Sequence, residues 1–408
     1  MDGLSMTSPE HRNLNTEHSD RGRPRLFVFL VAAVWLGLVA AESMHRFDPF
    51  IHPPGRNPSG VPAPYHPLAR ARLSGDAGGD LTRMLGFRAG AGILGVPRAD
   101  IEVVTDRFGF RNEPHLADTY CPVVVTGDSY MDQGVTNDVT PAGQLSRLLG
   151  VPVYDRTFMA RGPWTGAREF LRAERFKQRP PKVLVWGFVE RSVRAGGFRE
   201  PRKKPEPPAG SWWERLRREA NALPTAVRKK LRQGSMLKRW AVNVRAEVVY
   251  RLTGRLLPEV RGKVLLGSGP AGFELFVAGG VQSLAYDAKR RGMPVVVKTI
   301  EDVHAECERR GIHLLVLLVP DKGHVYRHRL RWDDQPILPE PDALTDLATR
   351  IDGGGIDVVN LLPVFLARNG DGEAPLYYPD DTHWSEHGIR IAMETVAERL
   401  RKRGQPVH

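Results

Sequence analysis

Gly127-Asp128-Ser129 follows the short β-branched run Pro122-Val123-Val124-Val125-Thr126, and His383 follows two aspartates in Asp380-Asp381-Thr382-His383-Trp384 near the C-terminus. A serine hydroxyl is a weak nucleophile at neutral pH. It needs an imidazole to take its proton and a carboxylate to hold that imidazole in the working tautomer. Each segment alone has a bland reading, a turn serine or a helix-start histidine satisfied by its neighbours. Together they read as a Ser-His-Asp relay. The catalytic candidates are Ser129, His383 and either Asp381 or Asp380, since both aspartates lie within reach of the histidine.

These groups meet only if the chain around them folds as an α/β layer structure. Five short segments read as strands: Val123–Thr126, Val151–Tyr154, Val183–Phe188, Leu314–Val319 and Asp357–Asn360. Helical patterns fall between them. Thr140-Pro141 is a cap followed by proline at the first helical position, leading into Leu145, Leu148 and Leu149. Ser385 caps a pattern of Ile389, Met393, Val396 and Leu400, closed by Arg401-Lys402-Arg403. Alternating strands and helices predict a three-layer α/β/α domain with a five-stranded parallel sheet. Ser129 then lies just past the carboxyl end of a strand, where such sheets bind ligands. Thr105 to Asn112 leads toward the first of these strands, with Phe108 and Phe110 packing on the sheet and Gly109 allowing a turn.

The N-terminal part reads differently. Arg21, Arg23 and Arg25 precede an uncharged stretch from Leu26 to Ala41. That pattern predicts a signal anchor over 26–42 with a cytoplasmic tail, 1–25, and an exported body; a cleaved signal peptide is the alternative. Residues 43–100 read as a Pro- and Gly-rich spacer, and 101–403 as the catalytic domain. A basic stretch, 196–261, interrupts that domain between its third and fourth strands, with Trp212, Trp213 and Trp240 among its arginines and lysines. The net charge of +12 on an exported chain points to anionic lipid or an acidic polymer, not to nucleic acid. Cys121 and Cys307 read as buried small residues without a disulfide framework. His324 and His328 are one helical turn apart but have no third ligand nearby, so they read as a surface pair and no metal is expected. The glycine clusters at 267–269 and 279–280 lack the lysine of a P-loop, and no nucleotide cofactor is expected.

Gly127-Asp128-Ser129-Tyr130 behind a strand and a late Asp-x-His resemble the SGNH/GDSL hydrolase superfamily. Gly109-Phe110-Arg111-Asn112, Phe188-Val189-Glu190-Arg191, Pro320-Asp321-Lys322 and Asp381-Thr382-His383-Trp384 narrow the resemblance to its alginate O-acetyltransferase-like branch. It covers roughly residues 100–195 and 262–403. It implies Ser129 as nucleophile, His383 as general base and then acid, and Asp381 as the orienting carboxylate. Asp380 is the rival, because esterase members place the aspartate three residues before the histidine. The superfamily's oxyanion glycine and asparagine are not where its esterases have them. Gly162 lies near the first position, and Glu190-Arg191 replaces the second. Arg191, Glu190, Lys322 and Trp384 are therefore the further candidates for oxyanion or substrate contacts. The resemblance implies transfer of an acyl group, acetyl as the branch has it, to an extracellular or cell-wall polysaccharide through an acyl-serine. The alternatives are a carbohydrate esterase with the same triad and a non-catalytic glycan-binding or assembly component. The expected partners are the polysaccharide acceptor, an acyl donor, the membrane, and a multi-spanning membrane O-acyltransferase. The expected location is the bacterial inner membrane, with the catalytic domain in the periplasm.

Overall fold

The structure, a computed structural model, describes residues 22–47, 65–73, 79–85, 96, 99–158, 162–198, 236–285, 288–369 and 374–404. They fall into two units, Met1–Pro54 with Pro207–Ala241, and Gly55–Glu206 with Val242–His408. In the first, Gly22–Phe47 forms one helix whose apolar side chains, Phe27 and Trp35 among them, are exposed. Among the described residues no helix is long and apolar enough to cross a membrane. Here the uncharged run is closed by Arg25 and Glu42, and at ~1.5 Å per residue it measures roughly 24 Å, short of a ~30 Å hydrocarbon core. The tail ahead of this helix, most of the spacer and the tryptophan pair at 212–213 lie outside the described residues.

In the second unit the described strands are, in chain order, β1 (Arg70–Leu73), β2 (Ile101–Val104), β3 (Val123–Gly127), β4 (Val153–Asp155), β5 (Val183–Val189), β6 (Val264–Gly267), β7 (Glu274–Val277), β8 (His313–Val319) and β9 (Asp357–Asn360). β1–β2 and β6–β7 are antiparallel pairs. The other five form one parallel sheet in the order β4-β3-β5-β8-β9. Every residue of β3 and β5 is buried, as all-parallel strands with both faces covered must be. The chain runs from β3 outward to β4, then returns across β3 to β5. The order therefore reverses between β3 and β5, and the carboxyl ends of these two strands frame the crevice where such sheets hold ligands.

The covering helices obey their local signals. Thr140 caps Pro141–Leu149 by accepting from the Gly143 N–H, and Gly150 ends it in the left-handed region at φ 70°. Ser385 caps Glu386–Lys402, whose Ile389, Met393, Val396 and Leu400 are buried and whose last turn carries Arg399, Arg401 and Lys402. These two helices pack together on one face. Helix Pro163–Arg172 packs on β3 and β5, and Ala288–Arg309 packs on β8 and against Ala343–Gly353. Right-handed crossovers put this second group on the opposite face, completing three layers. Cys121 and Cys307 are both buried and free. All five expected strands are present; the second starts two residues later than expected, at Val153. Within the stretch read as a basic insertion, Met236–Thr253 and Pro258–Arg261 are helical, and 199–235 lie outside the described residues.

A smaller apolar cluster matters for the site. Leu81 and Leu85 of helix Asp80–Leu85 meet Ala246, Leu257, Val260, Val264, Phe273 and Leu275. It seats that short helix against the β6–β7 pair, and the Leu275 N–H donates to the Pro379 carbonyl at 2.8 Å. The loop carrying His383 is thereby tied to elements far from it in sequence.

Candidate active site

Gly127 ends β3 with φ 155°, paired in register with Gly187 of β5. A side chain here would put Cβ 1.9 Å from the Gly187 carbonyl oxygen. Glycine therefore lets the two strands approach at the point where the chain turns into the one-turn helix Ser129–Asp132. Asp128 fixes that turn from inside. Its carboxylate accepts from the Tyr130 N–H at 3.1 Å, the Val189 N–H at 2.9 Å and the Ser192 hydroxyl at 3.3 Å. Arg111 holds the far side, donating to the carbonyls of Asp132 (2.9 Å) and Gly134 (2.8 Å). Asn112 exchanges hydrogen bonds with the backbone of Asp155. The Gly109-to-Asn112 segment is thus the brace of the serine loop, with Gly109 at φ 82° and Phe110 fully buried.

The serine and histidine come together. Ser129 Oγ lies 3.0 Å from His383 Nε2, and His383 Nδ1 lies 2.7 Å from Asp381 Oδ1. The same carboxylate oxygen accepts the His383 N–H at 3.0 Å. The distances fit an Nδ1–H tautomer, which leaves Nε2 free to accept the serine proton. Asp380 is turned away and wholly buried. It accepts from the N–H groups of Gly79 (2.8 Å) and Val96 (3.2 Å) and from the Thr82 hydroxyl (3.4 Å). Of the two aspartates, Asp381 contacts the imidazole and Asp380 anchors the short helix Asp80–Leu85.

That helix brings a residue the sequence reading did not single out. Asp80 Oδ2 lies 3.9 Å from His383 Nδ1, and its carboxylate accepts the Thr382 N–H (2.8 Å) and hydroxyl (2.7 Å). Its own N–H donates to Asp381 at 3.1 Å. Burial, and then the neighbouring Asp381 charge, raise the Asp80 carboxyl above its ordinary range. The only local sequence signal was an acidic first residue ahead of Leu81 and Leu85 at helical spacing.

Tyr130 and Trp384 build the wall behind the histidine. The Tyr130 ring lies 4.9 Å from the imidazole centroid, its hydroxyl donates to the Thr382 carbonyl, and burial raises its pKa. Trp384 is fully buried. Its indole N–H donates to the Tyr130 carbonyl at 3.0 Å, and its ring meets Tyr130 edge-on. It packs under the loop and offers no face to a sugar.

The remaining candidates divide in the same way. Arg191, just past β5, donates through Nη1 to the Tyr130 hydroxyl (3.0 Å) and to Asp321 (3.0 Å), with about a quarter of its side chain exposed (24%). Glu190 is buried and accepts from the Asp321 N–H, with His324 Nδ1 at 2.9 Å. The expectation of a surface pair at His324 and His328 is corrected: His324 is buried against Glu190, and His328 alone is exposed. Lys322, a candidate for substrate contact, is sealed in a structural role. Its Nζ pairs with buried Glu274 at 2.6 Å and donates to the carbonyls of Tyr378, Pro379 and Asp381. Burial pulls its pKa down. Lys322 and Glu274 therefore clamp the histidine loop onto β7. Gly162 sits half-buried ahead of Pro163–Arg172 at φ 74°, with the Gly197 carbonyl 3.6 Å from a notional Cβ.

Among the described residues, two groups of donor atoms fall within 4.8 Å of one another, Asp80-Asp381-His383 and Glu190-His324-Asp342. In the first, Nδ1 is engaged by Asp381; in the second, Asp342 caps Ala343–Gly353 while Glu190 and His324 bond each other. Neither presents a free set of ligands.

Comparison with known proteins follows the same residues. A family described as "SGNH hydrolase-like domain, acetyltransferase AlgX" matches residues 69–190 and 275–408, breaking where the sequence reads as a basic insertion. A Pseudomonas aeruginosa protein named "Probable alginate O-acetylase AlgJ" is 31% identical over 101 residues, 25% of this chain and 24% of that one. Its namesake from Azotobacter vinelandii is 36% identical over 76 residues, 19% of each chain. The "Alginate biosynthesis protein AlgX" of Pseudomonas putida is 28% identical over 115 residues, 27% of this chain and 24% of that one. The chain thus matches about a quarter or less of the length of these relatives.

Proposed function

This chain belongs to the SGNH hydrolase-like acetyltransferase family, and on that premise we propose that it transfers acetyl groups to the hydroxyls of an extracellular or cell-wall polysaccharide through an acyl-serine. The observation that carries the proposal is the Ser129–His383–Asp381 relay, at 3.0 and 2.7 Å, at the point where the sheet order reverses. Acetyl as the group and polysaccharide as the acceptor are supported by the alginate O-acetylase names of the relatives.

In this reading Ser129 Oγ attacks the donor's carbonyl carbon as His383 Nε2 takes its proton. Asp381 holds the imidazolium that forms. The tetrahedral oxyanion meets the Ser129 N–H, which opens the one-turn helix; Tyr130's N–H is already committed to Asp128. Gly162 and Arg191 are the candidates for further donors. The donor's leaving group departs with the proton from His383, leaving acetyl-Ser129. A sugar hydroxyl then gives its proton to His383, attacks the acyl carbon, and carries acetyl away as the serine regains its proton. Arg191 also acts through Tyr130, whose ring backs the imidazole.

Attachment to a membrane belongs to the proposal and is supported by Arg21, Arg23 and Arg25 ahead of the exposed apolar stretch, 26–41, of helix Gly22–Phe47. A multi-spanning membrane acyltransferase is the partner such an exported enzyme requires to bring acyl groups across. Fractionation tests attachment: the full chain should sediment with membranes and resist extraction by salt, and a shortened soluble form would remove the anchor.

The transfer itself is tested with a short acetyl ester and a panel of soluble glycans. Acetyl should appear on an acceptor sugar, read by mass spectrometry, and donor turnover should rise when that sugar is present. A bound hydroxyl outcompetes water through its effective concentration. Free acetate as the sole product across the panel would make the protein an esterase using the same residues.

A further inference from the structure

Asp80 and Thr382 are 302 positions apart and form, with Asp381, a closed ring of hydrogen bonds beside the imidazole. Asp80 Oδ1 accepts the Thr382 N–H at 2.8 Å, and Oδ2 accepts the Thr382 hydroxyl at 2.7 Å. The Asp80 N–H donates to Asp381 Oδ2 at 3.1 Å. Asp381 Oδ1 in turn faces His383 Nδ1 at 2.7 Å and the His383 backbone N–H at 3.0 Å. The neighbours of Asp80 are fixed by Asp380. The Gly79 N–H donates to the Asp380 carboxylate, and the Thr82 N–H to the Asp380 carbonyl at 3.4 Å.

One contact beside this ring bears on the tautomer of the base. Thr382 Oγ1 lies 3.4 Å from His383 Nδ1. A threonine hydroxyl has one hydrogen and two lone pairs. With its hydrogen given to Asp80, the oxygen offers only lone pairs to Nδ1 and supports the form that carries a proton there. A hydroxyl free to turn would donate to Nδ1 and favour the proton on Nε2, the form that cannot accept from Ser129. Thr382 is 4% exposed, so bulk water is a poor rival for its hydrogen. Asp80 Oδ2 itself is 3.9 Å from Nδ1, too far for a hydrogen bond, and reaches that nitrogen through the threonine.

We propose that Asp80 is a positioning residue of the relay: by holding the hydrogen of the Thr382 hydroxyl, it keeps His383 in the Nδ1–H form. The proposal rests on the reading of Ser129 and His383 as nucleophile and base, and adds a residue that acts on the base through another side chain. Asp381 accepts the Nδ1 proton. Asp80 removes the competing donor from the same nitrogen.

Asp80→Asn in the full chain is the decisive substitution. The asparagine oxygen keeps the Thr382 N–H, while its amide N–H faces the hydroxyl oxygen and turns the hydroxyl hydrogen toward Nδ1. For a small acetyl ester, kcat per folded molecule should fall roughly tenfold to a hundredfold, with KM within about twofold of the wild type. In a Thr382→Val background the same substitution should cost about threefold or less, because no hydroxyl remains to be turned. Equal losses in both backgrounds, or no loss in either, would overturn the proposal. A second pair leaves Asp80 in place and serves if Asp80→Asn does not fold. Thr382→Val should slow the enzyme, and Thr382→Ser, which keeps the hydroxyl, should recover most of that loss; a serine variant as slow as the valine one would overturn the role of the hydroxyl. NMR of isotope-labelled histidine reads the tautomer without substrate. His383 should carry its proton on Nδ1 in the wild type and shift toward Nε2 in Asp80→Asn, and one unchanged tautomer in both would overturn the proposal. The test is separate from that of acetyl transfer to glycans, since ester hydrolysis and a substrate-free spectrum are blind to the acceptor.

Discussion

Replacing each of the adjacent aspartates by asparagine separates catalysis from anchorage. The Asp381 carboxylate receives the His383 Nδ1–H at 2.7 Å. An amide facing that nitrogen presents its own N–H, which favours the opposite tautomer and puts the proton on Nε2, where it blocks acceptance from Ser129. Loss of the working tautomer in such relays costs roughly 10³–10⁴-fold, about 4–5.5 kcal/mol of transition-state stabilisation. Asp80, 3.9 Å from the same nitrogen, supplies a second carboxylate, so the lower end, roughly 10³-fold in kcat, is expected for Asp381→Asn. Asp380→Asn removes a charge that three donors share. It should cost about 1–3 kcal/mol of stability and change kcat per folded molecule by roughly tenfold or less. Initial rates on a chromogenic acetyl ester, normalised to folded protein from thermal melts, read both effects. If Asp380→Asn is the slower folded enzyme, the geometric assignment of the relay is wrong.

Two other perturbations test the supports of the site. Lys322→Met leaves Glu274 buried with only Arg329, at 3.1 Å, to neutralise it, and should lower stability by about 3 kcal/mol; melting near the wild-type temperature would show that the clamp is not structural. Burial, and then the Asp132 charge, hold the Asp155 carboxyl well above its ordinary range. Because the folded value is raised, this contribution to stability is full below the ordinary carboxylate range and is lost as pH rises through the raised value. Melting temperature should therefore fall with rising pH in the wild type and fall less in Asp155→Asn; parallel curves would contradict the raised Asp155 carboxyl.

The sheet was legible because its strands are short and largely apolar and the helices between them carry caps. Val123–Val125 and Leu314–Val319 admit no alternation, and Thr140-Pro141 and Ser385 mark helix starts without outside help. Ser129 was legible through its type and its place at a strand end, and His383 through its type and the aspartates before it, although it lies in a loop well past the last strand. What escaped depends on direction or on distant pairing. A charged residue just past a strand can face the cleft or the interior; Lys322 and Glu190 face the interior, where Glu274 and His324 receive them. Trp384 lies on the same loop as His383, but only packing decides that its ring turns under Tyr130. Asp380 and Asp381 are equivalent by spacing and are separated only by the N–H groups of Gly79 and Val96. Asp80 reaches His383 because the small cluster around Leu81 and Leu275 seats its helix there; the Gly- and Pro-rich turn between β6 and β7 marks a hairpin but not what the hairpin packs against.

The central claim is that Ser129 carries the acyl group between donor and acceptor. Rapid quenching of the full chain with an activated acetyl ester, followed by peptide mapping by mass spectrometry, reads this directly. The account predicts one acetyl group on the peptide containing Ser129, lost when an acceptor glycan is added, and none in Ser129→Ala. Acetyl on another residue, or turnover that persists in folded Ser129→Ala, would contradict it.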